Sequence, residues 1–91
     1  MAVTVILPNA LQPYAAYNDR VPLEAATVGE ALQKLLENYP DLAAHLPDDL
    51  AHLPPGFAIY RGGKDIRYLQ ELDTELRPDD RVTIVVPQGD L

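Results

Sequence analysis

This sequence predicts an α+β fold: a small mixed sheet packed on one main helix. Three observations carry it. From Val28, apolar residues Ala31, Leu32, Leu35 and Leu36 follow at helical spacing, one face about two turns long. Val3, Val5 and Leu7 alternate with Thr4 and Ile6, the period of a strand with a buried face. Val82 to Val86 is rich in β-branched residues, which predicts a central strand buried on both faces. A helix between strands, with the usual right-handed crossover, lets the last strand lie parallel beside the first.

The first strand runs from Ala2 to Leu7, and Pro8-Asn9 ends it. Residues 9–20 read as a long, partly exposed connection in which Leu11 and Tyr14 cover a core edge. Val21 and Leu23 alternate with Pro22 and Glu24, and the proline puts this short strand at a sheet edge. Thr27-Val28-Gly29-Glu30 has the form of a capping box, with Thr27 at the N-cap and Glu30 at the third helical position. Glu30 also complements the positive end of the helix dipole, and Pro40 stops the helix near Asn38-Tyr39. Leucines at 42, 46, 50 and 53, broken by Pro47, predict a short helix and then irregular chain. Pro54-Pro55-Gly56 resets the direction. Arg61-Gly62-Gly63 then joins Phe57–Tyr60 to Lys64–Arg67 as a hairpin, with both glycines expected at positive φ. Leu69, Leu72 and Leu76 anchor a loop with a helical turn. Pro78-Asp79-Asp80 turns the chain into the terminal strand, and Pro87, without an N–H, stops its pairing.

Ninety-one residues suffice for one domain, 1–91, with an exposed tail over 87–91. Fourteen acids against seven bases give a formal charge of −7, and no Lys/Arg cluster offers a phosphate-binding patch, so nucleic acid is not an expected partner. The acidic balance suits a partner with a basic groove and predicts salt-sensitive association. With no cysteine, disulfides and thiolate chemistry are excluded. No run is long enough for a membrane span and no signal pattern opens the chain, so a cytoplasmic protein is expected. No nucleophile–base set or phosphate-cradling glycine loop occurs, and the chain is not expected to be an enzyme. His45, Asp48, Asp49 and His52 lack a ligand spacing and read as a solvated acidic loop, with no metal site. Tyr14, Tyr17, Tyr60 and Tyr68 read as half-buried packing residues.

Several segments, in this order, resemble the MoaD/ThiS family of β-grasp, ubiquitin-like sulfur carriers. They are Val3-Thr4-Val5, Thr27-Val28-Gly29-Glu30-Ala31-Leu32, Tyr39-Pro40, Gly63-Lys64-Asp65-Ile66-Arg67, Leu72-Asp73-Thr74-Glu75-Leu76 and Asp80-Arg81-Val82-Thr83-Ile84. The resemblance spans nearly the whole chain. It implies a β-grasp fold and a C-terminal diglycine that a partner activating enzyme adenylates with ATP and converts to a thiocarboxylate. The carrier itself holds no cofactor. Its sulfur passes to an acceptor synthase in molybdopterin, thiamin or cysteine biosynthesis. The resemblance also implies that Val85 lies on the sheet face that meets the partner, with Pro87 and Gln88 leading into the tail. Burial of Val85 within the chain is an equal expectation at this point.

The tail departs from the family. Asp90-Leu91 stand where the diglycine is expected, and the only Gly-Gly pair, Gly62-Gly63, sits in the hairpin. Gly89 becomes the working terminus if Asp90-Leu91 are removed. Two readings stay open: a sulfur carrier, or a carrier-derived interaction module without the diglycine chemistry.

Overall fold

The computed structural model describes residues 2–47 and 49–87. Five strands form one sheet: β1 (Ala2–Ile6), β2 (Arg20–Glu24), β3 (Ala58–Arg61), β4 (Lys64–Asp65) and β5 (Arg81–Val85). One α-helix, α1 (Val28–Asn38), follows β2. Across the sheet the order is β2-β1-β5-β3-β4. β1 and β5 are parallel, with Val5 beside Val82, and the other neighbours are antiparallel. The expected arrangement is therefore present, with the last strand central and beside the first.

The core lies between α1 and one face of the sheet. Val28, Ala31, Leu32 and Leu35 join Val3, Val5, Ile59, Val82 and Ile84 in one buried cluster, and Leu36 packs at its margin. Period 3.6 on the helix meets period 2 on the strands, so each element contributes one apolar face. At the start of α1 the Glu30 N–H donates to Thr27 Oγ1 at 3.2 Å, as a capping box requires. The Glu30 carboxylate, however, accepts from the Ala26 N–H at 2.7 Å, one residue before the cap.

The connections supply more of the core than the sequence pattern indicates. Residues 9–20 hold a 3-10 helix, Gln12–Ala15, that buries Leu11 and Ala15. A second, Pro40–His45, buries Leu42. Two short 3-10 turns, Ile66–Tyr68 and Glu71–Asp73, follow β4, so Ile66 and Arg67 are not strand residues. In the hairpin only Gly62 takes a positive φ, +62°, and Gly63 does not. That is the pattern of a II′ turn, in which the first central residue alone needs glycine's freedom.

Two expectations about side chains fail. β5 buries Val82 and Ile84, but Arg81 and Val85 are exposed, so the strand is covered on one face only. A single helix can cover only one side of a sheet this small. Tyr17, in the turn after Gln12–Ala15, and Tyr68, at the end of the turn Ile66–Tyr68, are 77% and 81% exposed, not half-buried. Among the described residues no helix is long and apolar enough to cross a membrane.

Candidate functional site

The uncovered face of the sheet is built from the outward positions of the strands. Residues paired across neighbouring strands share a face, so the register places Ile6 and Tyr60 on either side of Thr83, and Ala58 beside Val85. Ile6, Thr83 and Tyr60 are half-buried, Ala58 is buried, and Val85 is 38% exposed. A small, mainly apolar patch with the hydroxyls of Thr83 and Tyr60 results, centred on the strand that runs into the tail. Val85 is thus a surface residue. The sequence left its burial open, and the one-sided cover of β5 decides it.

A groove of about 480 Å³ continues from this patch between the ends of β1 and β5, lined by Ile6 to Ala10 and by Thr83 to Pro87. Val86 packs against the core there, while Pro87 is exposed. Pro87 therefore marks the root of the tail. Gln88, Gly89, Asp90 and Leu91 lie outside the described residues.

The entry to β5 is fixed by Asp80. Its Oδ2 accepts from the Arg77 N–H at 2.7 Å and from Arg61 Nε at 3.0 Å, and its backbone oxygen accepts from the Thr4 N–H at 3.0 Å. One residue thereby ties β5 to β3 and β1. Burial pushes the Asp80 carboxyl up, but the Arg77 N–H and the Arg61 guanidinium outweigh it and hold the group below the usual carboxylate range. Asp79 takes φ +69°, and its N–H donates to the Ala2 carbonyl at 2.8 Å. Both aspartates act as the turn-formers the sequence indicates.

Charge on this face does not follow the chain's balance. The outward strand positions carry Arg20 and Arg81 along with Glu24, and the carboxylate of Asp65, opposite Tyr60, is held by Arg67. The patch is not an acidic surface, although the chain is acidic overall. His45 and His52, of the proposed loop, do different things. His45 stacks on Tyr14 with ring centroids 3.7 Å apart, and His52 Nδ1 lies 2.8 Å from Asp49 Oδ2. Among the described residues no three His, Cys, Asp or Glu side chains are grouped to hold a metal; Asp48 lies outside them.

Sequence reasoning passed over two residues. Asp65, 8% exposed, caps the following turn by accepting from the Arg67 N–H at 2.9 Å and receives the Arg67 guanidinium at 2.7 Å. Its polar type hid its burial. Gly56 takes φ +93° and lies against Pro87, and the Pro-Pro-Gly string signals only the turn.

The model of the ThiS family matches residues 5–89. CysO of Mycobacterium tuberculosis, described as an antigen, has a TM-score of 0.82 and 28% identity over 94% of this chain and 99% of that one. Small archaeal modifier protein 1 of Methanosarcina acetivorans has a TM-score of 0.80 and 27% identity over 99% and 96%. The CysO of Amycolatopsis orientalis, crystallised with BexX, has a TM-score of 0.83 at 24% identity over 98% and 99%, a likeness of fold. No curated protein matches the chain. The sheet and helix described above are those of the ubiquitin-like β-grasp fold, which these neighbours share.

Proposed function

The chain belongs to the ThiS family, and on that premise we propose that it serves as a sulfur carrier, a covalent co-substrate and not a catalyst. The observation that supports this most is the course of β5. A central strand, uncovered at Val85, leads directly through Val86 and Pro87 toward the terminus. Docking on the sheet face would deliver the tail to a partner's active site. There a carboxylate oxygen of the terminal residue attacks the α-phosphorus of ATP, pyrophosphate leaves, and a sulfur nucleophile then displaces AMP to leave a thiocarboxylate. The partners of this reading are an adenylating activating enzyme and an acceptor synthase in molybdopterin, thiamin or cysteine biosynthesis. ATP belongs to the activating enzyme.

Asp90-Leu91 set a condition on it. A channel built for glycine has no room for a leucine side chain. Asp90 would add a negative charge near the ATP phosphates, a cost of roughly 1 kcal/mol or more in a partly desolvated site. Sulfur transfer then requires removal of Asp90-Leu91, with Gly89 as the working terminus. The same two residues favour a second reading, an interaction module that keeps the docking face and lacks the chemistry.

Three forms decide between them when given an activating enzyme, ATP and a sulfide source. They are residues 1–91, residues 1–89, and Asp90→Gly/Leu91→Gly. Intact mass reports exchange of one oxygen for sulfur. The expected result is thiocarboxylation of the double glycine form, a weaker gain for 1–89, and none for 1–91. Efficient conversion of 1–91 would remove the condition on the tail. No conversion of any form would leave the interaction module.

A further inference from the structure

Pro54 to Phe57 form a tight turn in which the Phe57 N–H donates to the Pro54 carbonyl at 3.1 Å. Pro55 occupies its second position and Gly56, at φ +93°, its third, the signature of type II. That conformation alone would admit glycine or, with some strain, asparagine. A second requirement is stricter. A Cβ on Gly56 would stand 2.8 Å from Pro87 Cγ and 3.0 Å from Pro87 Cβ. The pyrrolidine ring occupies the place a side chain would need. One residue earlier Val86 packs on the core, so two successive residues hold the chain as it leaves β5.

We propose that the Pro54–Gly56 turn is a seat for Pro87, and that this contact fixes the direction and reach with which the terminal residues are presented to a partner. Gly56 and Pro87 are then positioning residues for activation of the terminus, an inference that rests on the carrier reading. The ring already fixes φ at Pro87. Seated against the Pro54–Gly56 turn, the ring is held in one orientation. Unseated, Pro87 is released and Val86 becomes the last held residue, a gain of roughly 3.5 Å in slack. A carboxylate that must meet an α-phosphate in line loses effective concentration with every such residue.

The test uses the Asp90→Gly/Leu91→Gly chain as background, with ATP–pyrophosphate exchange by an adenylating enzyme that accepts it. Gly56→Ala and Pro87→Ala should each lower kcat about tenfold or more. KM for the carrier should stay unchanged in Gly56→Ala, because Gly56 lies outside the patch and its groove; for Pro87→Ala, which alters the groove lining, kcat is the readout. The double variant should be no worse than the poorer single variant, since both remove one contact. A merely structural role would change melting behaviour and leave the exchange rate per folded molecule alone. In parallel, the heteronuclear NOE of the Val86 amide in the free 1–91 chain should fall in both variants. Pro87→Ala leaves the turn intact, so it remains decisive if Gly56→Ala does not fold. Unchanged kcat, or losses that multiply in the double variant, would overturn the positioning role. An unchanged Val86 NOE would overturn the seat itself, whatever the enzyme does. A background chain that is never adenylated would instead sink the carrier reading, and the positioning role with it.

Discussion

Asp65 shows how one polar residue can be buried to advantage. Its carboxylate receives Arg67 Nη2 at 2.7 Å and Nε at 3.2 Å, and accepts the Arg67 N–H at the start of a 3-10 turn. The Arg67 guanidinium, and then the Arg67 N–H, hold its carboxyl below the ordinary value of 3.8 against the opposing effect of burial. A depressed folded pKa means that the unfolded chain takes up the proton first as pH falls. The stabilisation is therefore present in full above the ordinary value and is lost as pH drops through the lower, folded one. Asp65→Asn should flatten the acid limb of stability below about pH 4, read by denaturant midpoints across pH. An acid limb as steep as that of the parent chain would show that other carboxylates carry it. Asp80 contributes in the same direction, so the limb should flatten without vanishing.

At the scale of elements, α1 is the piece on which the sheet depends. Leu32 and Leu35 are 2% and 0% exposed, and they share one buried cluster with Val5 and Val82 of the sheet. Leu32→Ala should destabilise the chain by about 2–5 kcal/mol through lost burial and a residual cavity. A loss under roughly 0.5 kcal/mol, the range of surface substitutions, would contradict the packing of this face. β2 illustrates the opposite need. As an edge strand it is blunted by Pro22, and Lys34 Nζ covers the Glu24 carbonyl at 2.6 Å. The sheet is thus better suited to present a face than to add a strand at β2.

For the whole molecule, the division into a covered and an uncovered sheet face is the feature that bears on partners. Val85→Lys places a charge on the uncovered patch at the end of β5, where its long side chain can reach solvent without disturbing the core. It should leave the melting temperature nearly unchanged and weaken binding of an activating enzyme about tenfold or more, measured by titration calorimetry. Unchanged affinity with an intact fold would move the docking surface elsewhere. The salt dependence of that affinity should be shallower than the net charge of −7 suggests. Arg20 and Arg81 lie among the outward strand positions, and charges beyond about 10 Å at 0.1 M salt are screened.

By itself the sequence determined the order of elements, the helix face and the pairing of first and last strands. Each rests on a repeated local signal: the helical spacing from Val28 to Leu36, the alternation from Val3 to Leu7, and the prolines that end segments. With the family resemblance it also set Asp90-Leu91 against the expected diglycine, an expectation that lies outside the described residues. Only the tertiary structure decided which side of each strand is covered. The run Val82 to Val86 reads the same for one buried face or two, and the count of covering layers, here one helix, makes the difference. Gly56 and Pro87 are 31 positions apart in the chain, yet a side chain on the one would meet the ring of the other. Such long-range neighbours leave no periodic trace, because what selects the residue is the space another segment occupies.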